Sequence, residues 1–234
     1  MKPLIFAGIA LLFAGCGGSQ TTSNTPPLMN FDPMFPDPLP AVLTAQDYLD
    51  TQTTFTAVDD LNRSSPLNLP AGVGATASFS GRMDAQFPLE ADITQRLVGD
   101  VALDVTFTTR TLNNVTGEID NLHIVQDGVP TELLTGTIPM FGQYNFTGNK
   151  VLDVDGNAAV TGTFGTDEVG QMRVYVTLRG DMRGTVTDPV VGVTGRTSGH
   201  ANGDFGYPLF YSETSTGIAA GDFYLVRDGY DLPD

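Results

Sequence analysis

The chain has 234 residues, 27 of them acidic against 11 basic, and a formal net charge of −16. Such a field repels nucleic acid and anionic lipid headgroups, so no nucleic-acid partner is expected. The single cysteine, Cys16, leaves the body without a disulfide framework, a Cys-based zinc site or a cysteine nucleophile, and the fold must rest on its own apolar core.

Residues 1–15 carry a positive head at Lys2, an apolar run to Ala14 and small residues before Cys16. This layout is a secretory leader, too short to cross a bilayer as a helix. The stretch "FAGC" resembles the lipobox of bacterial lipoproteins, with Phe13 where Leu is commoner. The resemblance implies cleavage before Cys16, acylation of its thiol and new amino group, and membrane attachment through that lipid. Gly17 rather than Asp follows the cysteine, which by the same resemblance implies export to the outer membrane of a Gram-negative bacterium, with either face open to it. Residues 16–45 hold the lipidated cysteine and a tether rich in Pro, Ser, Thr and Gly, in which repeated prolines block both helix and ladder. Residues 46–74 are a loosely packed lead-in, where Tyr48, Phe55, Val58 and Leu61 stand at roughly helical spacing among threonines that weaken the signal.

From about residue 75 the apolar period becomes two, and residues 75–234 read as one β domain. In "DVALDVTF" Val101, Leu103, Val105 and Phe107 share a face, and in "QMRVYVTL" Met172, Val174, Val176 and Leu178 do. The stretches "TLNN" (111–114), "QDGV" (126–129), "DVDGN" (153–157) and "TDPV" (187–190) carry turn chemistry between such runs. A succession of antiparallel hairpins follows, which disfavours a parallel α/β fold.

A Thr-Gly pair recurs between larger residues, as in "NVTGEI", "LLTGTI", "NFTGNK", "AVTGTF" and "GVTGRT". Period two turns Gly117, Gly136 and Gly162 inward, along with Gly81, Gly184 and Gly221, and leaves the threonines facing water. An inward glycine weakens a strand, so its recurrence needs a structural cause. A closed and strongly coiled sheet supplies one, because small barrels bend at glycines and fill the lumen with alternating small and large residues. The expected fold is therefore all-β, an antiparallel up-and-down β-barrel of about eight strands.

The stretches "LPAGVGATASFSG" (69–81) and "GDVALDVTFTTRTLNNVTGEIDNL" (99–122) resemble the C-terminal barrel of transferrin-binding protein B and its lipoprotein relatives. The likeness runs over most of residues 69–226. It implies a lipobox, a loose tether and a glycine-punctuated barrel of eight strands. The family's closing Phe-Tyr-Gly-Pro and Gly-Gly pattern is reordered here to "GDFGYPLFYSETSTGIAAGDFYLVR" and lacks the Gly-Gly. The likeness therefore implies the fold, and transferrin capture is not carried over.

His123 is expected on the water-facing side of a strand, after a bulge near Asp120–Asn121, with Leu122 and Ile124 inward. Ser198, His200 and Asp204 are triad residue types, but they fall in a Gly-rich stretch read as a loop and lack a nucleophile elbow. Asp153, Asp155 and Asn157 open like a calcium loop, but Gly156 comes too early and the distant Glu is missing. The Arg-Gly-Asp at 179–181 sits on an alternating strand with Gly180 inward. Phe205, Tyr207, Leu209, Phe210 and Tyr211 crowd an irregular segment, which either forms a partner-binding rim or folds over one barrel mouth as a plug. No cofactor or metal is expected, and the inward residues are almost all apolar or glycine, which disfavours an enzyme. The leading expectation is a non-enzymatic binding protein that engages a protein partner through barrel-mouth loops. The alternative is a lipocalin-like carrier of a small apolar ligand.

Overall fold

The computed structural model describes residues 42–64, 75–86, 95–107, 113–144, 151–163, 169–188, 190–203 and 221–232. One helix, α1 (Ala45–Asp59), and a two-residue strand, β1 (Asn62–Arg63), precede the sheet. The sheet is built from β2 (Ala75–Gln86), β3 (Gln95–Phe107), β4 (Asn113–Gln126), β5 (Val129–Leu133) and β6 (Ile138–Tyr144). It continues through β7 (Val151–Gly162), β8 (Gly170–Gly184), β9 (Gly192–Gly203) and β10 (Gly221–Arg227). Every pairing is antiparallel. β5 and β6 act as one interrupted strand, covering the second and first halves of β4 in turn. Each remaining strand pairs with its successor, and β10 returns to β2 from Gly221↔Ala85 to Arg227↔Phe79. The result is the up-and-down ring of eight strand positions that the sequence predicts.

The ring's lumen is its core. Phe79, Leu103, Ile119, Ile138, Val160, Leu178 and Phe223 come from different strands and are all buried in one apolar cluster. Alternation decides this, since the period of two sends one apolar set inward and leaves Asp104, Arg173 and Arg179 outside. Gly81, Gly117 and Gly221 stand where neighbouring backbones come very close. A Cβ on Gly117 would fall on the Ala102 carbonyl oxygen, and one on Gly221 on that of Asp84. Coiling this tight is available only where a side chain is missing. Gly136 answers to a different demand. It sits in the break between β5 and β6 at φ +138, where Thr135 bridges to Thr161.

The bulge expected beside Asp120 is present. The β3–β4 register jumps between Val98↔His123 and Asp100↔Asp120, and Asn121 takes φ 46. The "QDGV" turn also forms, with Asp127 at φ 51 and Gly128 at φ 78 closing a two-residue hairpin of the primed kind. The "DVDGN" turn does not form, and residues 153–157 lie inside β7. Cross-strand partners outweigh the local Asp-Gly preference. Asp153 pairs with Arg179 across to β8 at 3.2 Å, and Asp155 accepts from the Thr177 hydroxyl at 2.6 Å. Ser198 and His200 likewise stand on β9, not in a loop.

α1 lies on the outside of the ring, against β9, β10 and β5. Thr44 caps it reciprocally with Asp47, the Asp47 N–H donating to Thr44 Oγ1 at 3.1 Å and the Thr44 N–H to Asp47 Oδ2 at 2.8 Å. Its threonines fit by turning back on the helix. The Thr51 and Thr56 hydroxyls donate to the carbonyls of Asp47 and Gln52, at 2.8 and 3.0 Å. Tyr48 and Val58 are buried from this helix, as their spacing foretells.

Candidate functional site

Because α1 covers part of the outer wall, several outward side chains are buried under it. Tyr48 meets Leu43, Val98 and Val125 in a second, small apolar cluster outside the lumen. His123 is not water-facing. It is 1% exposed, with Nε2 taking the Leu43 N–H at 3.3 Å and Nδ1 held 2.8 Å from the Asn121 carbonyl oxygen. An N–H can only donate and a carbonyl can only accept, so the ring stands as the Nδ1–H tautomer with both nitrogens engaged. Thr194 is also buried rather than solvated, donating to Asp59 Oδ1 at 2.8 Å. Period two distinguishes the two faces of a strand but not whether the outer one is covered.

The wall under α1 carries a charged lattice. Arg82 donates to the Asp47 carbonyl and the Thr51 hydroxyl, both at 3.0 Å, and its Nε lies 2.7 Å from Asp100. Asp84, 5% exposed, accepts from the Tyr48 hydroxyl at 3.1 Å and pairs with Arg96. Burial pushes the Asp84 carboxyl up against the opposing pull of Arg96. Burial first, then the Asp84 charge, pushes the Tyr48 phenol up to about 12. At the other end of the helix Arg183 pairs with Asp59 and donates to Thr194 Oγ1 at 2.9 Å. Burial also pushes Asp222 up, with Arg196 and Arg96 opposing.

The wall carries grooves bounded by described residues. One of about 350 Å³ lies along α1 between Phe55, Arg82, Arg96 and Tyr224. A second of about 380 Å³ runs past Arg63, Arg179, Arg183 and Arg196. Its guanidinium groups are already engaged, since Arg63 pairs with Asp181, Arg179 with Asp153 and Arg183 with Asp59. A third, also about 380 Å³, opens across β6 to β9. Pro139 and the 62% exposed Phe141 form one bank. Tyr175 and His200 form the other, their rings stacked 4.3 Å apart at 12°. Asp155, Asn157, Thr177 and Ser198 lie between.

No protein-family model, curated protein or solved structure matches this chain. The reading of its function therefore rests on its own geometry. Among the described residues no three His, Cys, Asp or Glu side chains gather to hold a metal ion. Ser198 and His200 stand two apart on one outer face of β9, while Asp204 lies outside the described residues. The Arg-Gly-Asp at 179–181 is taken up in strand pairing, with Gly180 facing the Phe223 ring in the lumen. Cys16 and the aromatic segment of Phe205, Tyr207, Leu209, Phe210 and Tyr211 also lie outside the described residues. The flanking strand ends locate its attachment. β9 ends at Gly203, at the same end of the ring where β2 ends at Gln86 and β7 at Gly162.

The two faces of the wall are the inverse of those of a membrane-spanning barrel, which turns an apolar band outward. Here the outward positions of β8 are Arg173, Tyr175, Thr177, Arg179, Asp181 and Arg183, and the apolar set fills the lumen. The grooves and the phenolic and guanidinium hydrogen bonds described above all belong to the outer surface. Sequence reasoning missed that surface as a site, because Phe141 and Tyr175 each read as an isolated outward residue until the ring brings β6 and β8 to either side of β7.

Proposed function

We propose that the chain is a lipid-anchored, non-enzymatic binding protein of a bacterial outer membrane, held through Cys16, which engages a protein partner with the connections at one end of its ring. In this reading it shares the barrel plan of the transferrin-binding protein B-like lipoproteins without their name-giving ligand. The observation that carries it is the division of the wall, with apolar side chains turned into the lumen and polar ones outward. A lumen occupied by Phe79, Phe107, Phe223 and Met83 favours recognition outside the ring over carriage of a ligand within it. A rigid scaffold that presents loops is a common basis for binding function. The segment of Phe205, Tyr207, Leu209, Phe210 and Tyr211 supplies aromatic residues of the kind that dominate binding energy.

The test is a photo-reactive amino acid at position 210 in producing cells, combined with fractionation of a Cys16→Ser variant. A discrete protein adduct from the membrane fraction, lost when Cys16→Ser releases the chain from that fraction, is the expected result. Absence of any adduct from a folded, membrane-bound chain would sink the partner reading. A stoichiometric apolar ligand of a few hundred daltons, retained on the intact protein in native mass spectrometry and unaffected by Phe141→Ala, would replace it with the carrier reading.

A further inference from the structure

The groove across β6 to β9 has a chemistry of its own, independent of the partner-protein reading. Strand register sets its plan in two rows. Phe141 stands opposite Asp155, Asp155 opposite Thr177, and Thr177 opposite Ser198. In the next row Asn157 faces Tyr175, and Tyr175 faces His200. Ring-bearing side chains thus bank a floor of short polar groups, and the space of about 380 Å³ lies in the range of small-ligand sites, roughly 300–1,000 Å³.

The charge inventory narrows the ligand. Among the described residues that line the groove there is no Arg or Lys, and Asp155 is the one carboxylate. Arg173 reaches its edge only by donating to Asn157 Oδ1 at 3.4 Å. An anion would find no cation on the floor and would meet the field of a chain at −16. A divalent metal would find a single carboxylate, itself accepting from Thr177. A wholly apolar ligand would strip water from Asp155, Asn157 and Ser198, a loss that the contacts of Asp155 to Thr177 and of Asn157 to Arg173 offset only in part. A ligand with apolar ring faces and a rim of uncharged hydroxyls satisfies both kinds of surface. Its C–H faces lie on Phe141 and Tyr175, and its hydroxyls donate to Asp155 and exchange hydrogen bonds with Asn157, Thr177 and Ser198.

We infer that the Phe141–Tyr175–His200 groove on the outer wall is a binding site for a neutral saccharide. The test titrates maltotriose, cellotriose, laminaritriose and N,N′,N″-triacetylchitotriose, with trigalacturonate as the charged comparison, into the full-length chain in detergent, followed by amide NMR. At least one neutral trisaccharide should shift the amides of β6 to β9 around Phe141, Asn157 and Tyr175. Phe141→Ala, at an exposed position that leaves the core untouched, should weaken that binding about tenfold or more, and Tyr175→Phe should keep most of it. Three results would overturn the inference. One is no shift with any neutral probe at about 10 mM, a concentration that detects even millimolar affinity. Another is shifts confined to other surfaces or unchanged in Phe141→Ala, and the third is trigalacturonate binding as well as the neutral probes. If Phe141→Ala abolished capture of a protein while no saccharide bound, this face would belong to that protein instead.

Discussion

At Gly117 the absent side chain is the structural requirement. A Cβ there would meet the Ala102 carbonyl oxygen and lie 2.9 Å from the Leu103 Cα, backbone atoms fixed by the β3–β4 ladder. Gly162 belongs to the same Thr-Gly repeat but faces the Leu134 side chain and the Glu132 carboxyl, side-chain rather than backbone atoms. Gly117→Ala is therefore expected to destabilise the protein by about 1–3 kcal/mol or more, while Gly162→Ala should cost under about 1.5 kcal/mol. Urea unfolding of the two variants checks this, and equal losses would contradict the close-approach account. The repeat was legible in the sequence as a sign of curvature because period two needs no tertiary knowledge. The ranking of its glycines was not, because it depends on whether backbone or a flexible side chain stands opposite. His123 and Thr194 make the same point. Their outward direction follows from the strand pattern, whereas their burial depends on a helix placed far off in sequence.

At the scale of elements, α1 is fastened to the wall by polar contacts as well as by buried Tyr48 and Val58. Tyr48 and Arg96 converge on Asp84 near its start, while Arg183 and Thr194 hold Asp59 at its end. Asp84→Asn removes the carboxylate charge and one of its two acceptor oxygens, and leaves half-buried Arg96 short of its charged partner. The expected loss is about 1.5–3 kcal/mol, the range for hydrogen bonds to charged groups. The Tyr48 phenol should fall from about 12 toward its ordinary 10.0, read by ultraviolet titration. The pH dependence has a definite sign. Asp84 stands above its ordinary 3.8 in the folded state, so its contribution to stability is full below that value and is lost as pH rises through the raised one. The Asn variant lacks this slope, and its deficit relative to the native protein should shrink as pH rises from about 3.8. A constant deficit across that window would show that Asp84 does not titrate above its ordinary value. The helix itself was visible in the spacing of Tyr48 and Val58. Its capping box and its polar fastening were not, since Arg82, Asp84 and Arg183 read only as outward charges on separate strands.

For the whole molecule, closure leaves each ring strand with a neighbour on each side, except β5, which pairs with β4 alone. The strands should therefore lose amide protection together in hydrogen exchange, whereas α1, attached only from outside, should open at lower free energy. Protection in α1 equal to that of β3 and β8 would mean that helix and ring form one cooperative unit. The sequence by itself determined the strands, their inward faces and the closed antiparallel ring, because alternation and glycine placement are local and repeat along the chain. It also carries the residues up to Cys16 on which the proposed anchoring rests. It misjudged residues 153–157, where an Asp-Gly pair looks like a turn until Arg179 and Thr177 on β8 engage Asp153 and Asp155. Only the tertiary structure decided which outer faces are covered and which remain as grooves. The Phe141, Tyr175 and His200 surface exists only because closure brings β6, β7, β8 and β9 side by side. A one-dimensional pattern encodes direction along a strand, and adjacency across strands arises from the three-dimensional packing that closes the ring.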